Sequence, residues 1–316
     1  MNQWSRRTVV AGFVALAGST QLTGKGHERA IFNRGKAPIG LQLYTLGDEW
    51  VKDTPGVFGE LARIGIRELE LPGLMGKTPA DLRAEADRAG LRFTSFHLPA
   101  MPLFDPNGLS LQSSAAQIAD ALGILGTTDV VVPLPPLPAD FQFVPGKTGP
   151  ADLAAAVASG GADAWKRFAS LLNEKAAALT SHGVTLGYHN HNVEFSSVGN
   201  TTPWAILLSE TNPDTVFFEL DLGWVAAAGL DPAREIRRLG RRVRWVHVKD
   251  LKPTTKPNFA LQMDPAVVGD GSQDWPAIFR AAESVGVRHY YIEQEPPFSI
   301  PRMDAVRNGF RFLSQT

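Results

Sequence analysis

From residue 38 onward the chain keeps one rhythm, a short β-rich run followed by a helical stretch and then the next run. The runs lie at 39–46, 67–73, 91–99, 128–134, 184–191, 216–224, 243–250 and 289–295. Between them, "TPGVFGELARIG", "TPADLRAEADRAG" and "DWPAIFRAAESVG" open on Thr/Asp with a nearby proline and close on glycine, which is helix-cap chemistry. "SLQSSAAQIADALGILG", "AWKRFASLLNEKAAALTSHG", "PAREIRRLG" and a last stretch at 303–314 are helical by pattern. Strands alternating with helices over roughly 280 residues predict an α/β fold, a single (β/α)8 TIM barrel over 37–316. The competing doubly wound sheet carries a glycine-rich phosphate turn after its first strand, and "LYTLGDEW" has none.

Two connections are long, 134–164 and 251–274. The first is rich in Pro, Gly and Ala and reads as a loop, a lid or a subunit contact. A homo-oligomer is therefore one expectation. Before the barrel, "WSRRTVVAGFVALAGS" sets paired arginines ahead of a short apolar core ending in Ala15-Leu16-Ala17. That pattern predicts a twin-arginine export signal and linker over residues 1–30, and a periplasmic location. Its apolar run falls short of the about 20 residues that span a bilayer, so the protein is not expected to be membrane-embedded.

Charge and cysteine content narrow the chemistry. Lys and Arg number 31 and Asp and Glu 32, for a net charge of −1, so there is no basic field for nucleic acid. Cysteine is absent, which excludes disulfides, thiolate catalysis and thiolate metal sites. Any metal must be held by His, Asp and Glu.

Active sites of such barrels gather at the C-terminal ends of the strands. Those ends carry Glu70, His97, His189, His191, Asp221, His247, Lys249, Glu293 and Glu295. Strand side chains alternate, so His189/His191, Glu219/Asp221, His247/Lys249 and Glu293/Glu295 are same-face pairs. Lower in the strands, Phe217, Trp245 and Tyr291 are bulky enough to fill the barrel. Buried acids and imidazoles aimed at one centre are most simply compensated by one divalent cation: Mn, Zn, Co, Fe or Mg.

With these residues in view, the chain resembles the xylose-isomerase-like barrel superfamily, the sugar phosphate isomerase/epimerase group. The matching stretches, in order, are "GLQLYTL", "FHLP", "GVTLGYHNHNVEF", "FELDLGW", "VHVKD", "VGDGSQDWPAIF" and "YYIEQE". The resemblance implies one divalent metal held by Glu, Asp, His and Glu from strands five to eight, and a sugar or polyol substrate. Asp221, His247 and Glu293 match three of those ligands. The first falls on His189, where many relatives read Glu-Asn-His and this chain reads His-Asn-His. His189 is thus expected as a metal ligand or as a free base.

The implied activity is metal-dependent isomerisation or epimerisation of a sugar, by proton transfer beside a carbonyl, with His189, Glu293 and Lys249 as catalytic residues. Inosose dehydratases look similar and carry histidines at this strand end, so a keto-sugar lyase or hydratase is the near alternative. Lys249 is expected to stabilise an enolate oxygen or to pair with Asp250 at the rim. Tyr44, His97, His191, Glu194 and Trp224 are the expected substrate contacts. A non-catalytic sugar-binding protein and a DNA-repair endonuclease are the readings from other classes.

Overall fold

The computed structural model describes residue 32 and residues 37–102, 108–138, 140–142, 144 and 147–316. The expected export signal at 1–30 lies outside the described residues. The strands are β1 (Ile39–Gln42), β2 (Glu68–Leu71), β3 (Arg92–His97), β4 (Asp129–Val132), β5 (Thr185–His189), β6 (Val216–Asp221), β7 (Val243–Val248), β8 (Asp250–Leu251), β9 (Pro265–Ala266) and β10 (His289–Ile292). β1 to β7 and β10 are parallel and close into one barrel, with β1 paired to both β2 and β10. The expected (β/α)8 architecture is present. β8 and β9 form a small antiparallel pair in the connection that follows β7.

Each strand turns one row of side chains outward to the helices. Leu41, Leu69, Val130, Leu186, Phe218, Val246 and Tyr290 join the main core between barrel and helices. Cap chemistry sets the helix ends as the sequence implies. Thr78 accepts the Asp81 N–H ahead of Pro79–Ala89, and left-handed Gly90 (φ 70°) ends that helix. Phe32, just after the expected signal and linker, packs edge-on to Phe279 and Tyr290 and joins the core. Among the described residues no helix is long and apolar enough to cross a membrane.

The 134–164 connection is not wholly a loop. Pro150–Ser159 is a helix, and Gly161–Thr180 follows it directly. Alanine is the best helix former and proline is tolerated in the first turn, so the composition read as loop is helical. Pro203–Glu210, capped by Thr202, is a further helix beyond those expected from the sequence pattern.

Inside the barrel, Val131, Phe217, Trp245 and Tyr291 form a separate buried cluster, the expected filling. Glycine makes room for it. A Cβ on Gly187 would stand 2.7 Å from the Trp245 ring and 3.2 Å from Val131, and one on Gly40 would stand 2.6 Å from the Tyr291 ring. These aromatics floor the barrel and support the polar side chains above. Gly187→Ala should overpack this floor and cost about 1–3 kcal/mol. Thermal denaturation tests it: a drop of several degrees in Tm is expected, and an unchanged Tm would refute the tight fit.

Candidate active site

β5 and β6 place the first groups. In His-Asn-His, Asn190 turns away from the centre, and its Oδ1 accepts the Asp221 backbone N–H at 3.0 Å. The asparagine thus ties the end of β5 to the end of β6, while the flanking histidines face inward. Asp221 is the N-cap of the helix Leu222–Ala227, its Oδ1 accepting the Trp224 N–H at 2.8 Å. That bond spends one oxygen and aims the other, Oδ2, into the barrel. Gly223 lies beside the Lys249 stem, where a Cβ would come within 2.7 Å of it. Only glycine lets the lysine run beneath this helix to the centre.

An outer layer of charge results. Lys249 Nζ lies 2.7 Å from Asp221 Oδ2, 2.8 Å from Glu293 Oε2 and 2.8 Å from Glu295 Oε1. Its nitrogen also sits 5.1 Å from the Trp224 ring centre. Burial opposes its charge, but Asp221, Glu293 and Glu295 outweigh burial and hold it well above the ordinary lysine value. Burial likewise opposes ionisation of Glu293, and Lys249 and His247 override it. His247 Nδ1 is 2.7 Å from Glu293 Oε2 and 3.7 Å from Asp221 Oδ2.

Below lies an inner layer that the strand-end reading only touched. Glu219 Oε2 faces three imidazole nitrogens: His189 Nδ1 at 3.0 Å, His97 Nε2 at 3.1 Å and His247 Nε2 at 3.1 Å. Glu70 Oε2 sits 2.6 Å from His247 Nε2 and 3.2 Å from His97 Nε2, and accepts from Gln42 Nε2 at 2.9 Å. Burial works against a charge on His97, but Glu70 and Glu219 raise it to about 9. Burial opposes a charge on His247 too, but Glu219, Glu293 and Glu70 outweigh it and raise its affinity for a proton, for which a bound cation would compete. His189 goes the other way: burial, then the neighbouring cations, pushes it well below the ordinary value, so it is neutral. Glu219 and Gln42 were given no role from sequence. Their inward alternation, with Asp221 and Gly40 respectively, is the signal that marks them.

The remaining expected contacts divide. His191 is half-buried beside His189 and Trp224, its buried Nδ1 has no hydrogen-bond partner, and burial with Lys249 nearby lowers it to about 4. Trp224 Nε1 is also buried without a partner. Tyr44 is 49% exposed at the mouth, close enough to Glu295 and Glu293 that these add to burial in raising its phenol. His97, expected at a substrate hydroxyl, is committed to Glu70 and Glu219 instead. Glu194, also expected there, is buried with both oxygens taken, by the Tyr188 hydroxyl and the His191 backbone N–H. It pins the loop after β5. Lys249 does not pair with Asp250, because neighbouring strand residues face opposite ways. Asp250 instead gathers the N–H groups of Gly269, Gly271 and Gln273 and the Trp275 indole.

The donor set suits one divalent ion. Asp221, His247 and Glu293 each offer a ligand atom, and these lie within 4.8 Å of one another. Asp221 Oδ2 is buried and receives no hydrogen bond, although Lys249 stands at ion-pair distance. His189 Nε2 approaches it at 3.8 Å. The four expected ligands therefore share one end of the barrel, three as a tight group and His189 at its edge. A second set, His97, His189, Glu219 and His247, meets the same distance limit in the inner layer.

Comparison with known proteins agrees with this architecture. The chain is 25% identical over 164 residues to an inosose dehydratase of Clostridium botulinum, covering 48% of this chain and 54% of that protein. It thus spans about half the length of the curated relatives it matches. Two solved sugar phosphate isomerase/epimerase structures from Parabacteroides distasonis superpose with TM-scores of 0.68 and 0.70, at 24% and 21% identity. They cover 88% and 89% of this chain and 94% and 98% of theirs, and at that identity the likeness is one of fold. A family model described as a xylose isomerase-like TIM barrel matches residues 58–316. Carrying that model over most of its length, on a closed eight-stranded barrel, the chain belongs to the xylose isomerase-like TIM barrel family.

Proposed function

We propose that the protein is a divalent-metal-dependent enzyme that removes the proton beside the carbonyl of a sugar or keto-sugar and then expels the β substituent, a lyase or dehydratase. The observation that carries this reading is the meeting of a buried imidazole and a buried ammonium at one carboxylate oxygen: His189 Nε2 lies 3.8 Å and Lys249 Nζ 2.7 Å from Asp221 Oδ2. Asp221, His247 and Glu293 would hold the ion and leave coordination positions open to the substrate. When bound, the ion would polarise the substrate carbonyl as a Lewis acid.

The chain's own residues supply the rest. His189 takes the α-proton, since it is uncharged and the lone pair on its Nε2 is free to accept one. Lys249, kept protonated by three carboxylates, faces the oxygen that gains charge. Trp224 Nε1 and His191 Nδ1, both buried and unpartnered, are free to bond substrate hydroxyls. The imidazolium formed at His189 would return that proton to the departing β oxygen, so that proton and substituent leave together as water or an alcohol. The dehydratase activity named for the curated relatives supports the same outcome.

Isomerisation or epimerisation is the second reading, supported by Glu293, the carboxylate that would return a proton on the other face. The fold neighbours bear isomerase/epimerase names. The twin-arginine pattern of residues 1–30 would put either reaction in the periplasm.

Two experiments test the proposal. Asp221→Asn keeps a helix cap but removes the charge at Oδ2; it should lower divalent-ion affinity by at least the about 10–100-fold typical of a ligand's supporting partner. Ion content and chelator titration measure this, and unchanged affinity would refute the ligand assignment. His189→Gln, assayed by NMR in D2O on a panel of keto-sugars, should slow α-proton exchange about 10²–10⁴-fold while bound ion is retained. Release of the β substituent identifies a lyase; deuterium uptake with the substituent intact identifies an epimerase and rejects elimination.

A further inference from the structure

Glu219 lies beneath the outer layer, and its Oε2 faces three imidazoles at once, that of His189 among them. It is fully buried at the inward position two residues before Asp221, and its other oxygen, Oε1, has no partner. His189 has two ring nitrogens with different surroundings. Nδ1 lies 3.0 Å from Glu219 Oε2, and Nε2 points to the outer layer, 3.8 Å from Asp221 Oδ2. A neutral imidazole carries one proton, and the nitrogen that hydrogen-bonds a carboxylate keeps it.

We infer that Glu219 is a positioning residue that fixes the tautomer of His189, holding the proton on Nδ1 so that the Nε2 lone pair faces the reacting centre. The same floor treats the neighbouring ring alike. His247 Nε2 lies against Glu70 and Glu219, which leaves its Nδ1 turned toward Asp221 and Glu293. His189 on β5 and His247 on β7, with β6 between them, thus each turn one ring nitrogen down to the carboxylates of the inner layer and the other up toward the outer layer. The floor does by hydrogen bonding what the sequence of β5 alone does not specify: it decides which nitrogen of His189 is the base. With the opposite tautomer the Nε2–H would point at the substrate carbon and could accept nothing.

The functional importance of this tautomer rests on the base role proposed for His189, but the tautomer is measurable without substrate or turnover. Imidazole ¹⁵N NMR of the full-length protein labelled in histidine, with His189→Gln to assign the signal, reads it directly. Wild type should show a protonated-type shift at Nδ1 and an unprotonated-type shift at Nε2 of His189. Glu219→Met keeps length but removes the acceptor, and should move the proton wholly or partly to Nε2 while the shift pattern of distant His182 stays in place as a check on folding. Wild type with its proton on Nε2 overturns the inference even if the variant fails to fold. So does a folded Glu219→Met that keeps Nδ1–H. An enzyme that proves not to eliminate or epimerise leaves the tautomer result standing, so the two failures are distinguishable.

Discussion

Four carboxylates, Glu70, Glu219, Asp221 and Glu293, lie almost wholly inside the barrel, and their compensation governs the upper half of the molecule. An uncompensated buried carboxylate costs several kcal/mol or gives up its charge. Here each faces a cation or a ring nitrogen within about the length of a charge-assisted hydrogen bond. Breaking one member of such a network leaves its partner stranded, which is why these groups occur as a set and not singly. The set is possible only because the strands are parallel: every β-strand delivers its last inward residue to the same end of the barrel.

Depth sorts the roles. The aromatic floor of Phe217, Trp245 and Tyr291 fills the volume a closed barrel would otherwise leave empty, and Gly40 and Gly187 give it space. One step up the strands, the inward positions are Gln42, Glu70, His97, His189, Glu219, His247 and Glu293. One step further, they are His191, Asp221, Lys249 and Glu295. The period of two in a strand therefore becomes a layering along the barrel axis, with apolar packing lowest and buried polar and charged groups above it.

That layering explains what could be read from the residues alone. Strand rhythm and helix caps are local, so the barrel and its filling are legible. Same-face pairing is local too, and it puts His189, Asp221, His247 and Glu293 at one end. Depth is not local. Alternation says that Glu219 and Asp221 share a face, but not that one sits beneath three imidazoles while the other looks outward. Glu194 was misplaced because a short turn after β5 folds it back under Tyr188, a tertiary contact with no sequence mark. The pairing of Lys249 with Asp250, in contrast, was excluded by alternation itself. The loop reading of 150–159 failed because alanine and proline were weighed as composition and not by position.

The histidine at position 189 takes its meaning from Lys249. In the outer layer, Asp221, Glu293 and Glu295 bring three negative charges, which a divalent ion together with the Lys249 ammonium would balance. A glutamate at 189 would add a fourth anion at the same centre and raise the proton affinity of everything near it. An imidazole there would leave that balance untouched. On this view the His-Asn-His sequence is matched to the charge that β7 brings to the same point, and neither residue is interpretable without the other.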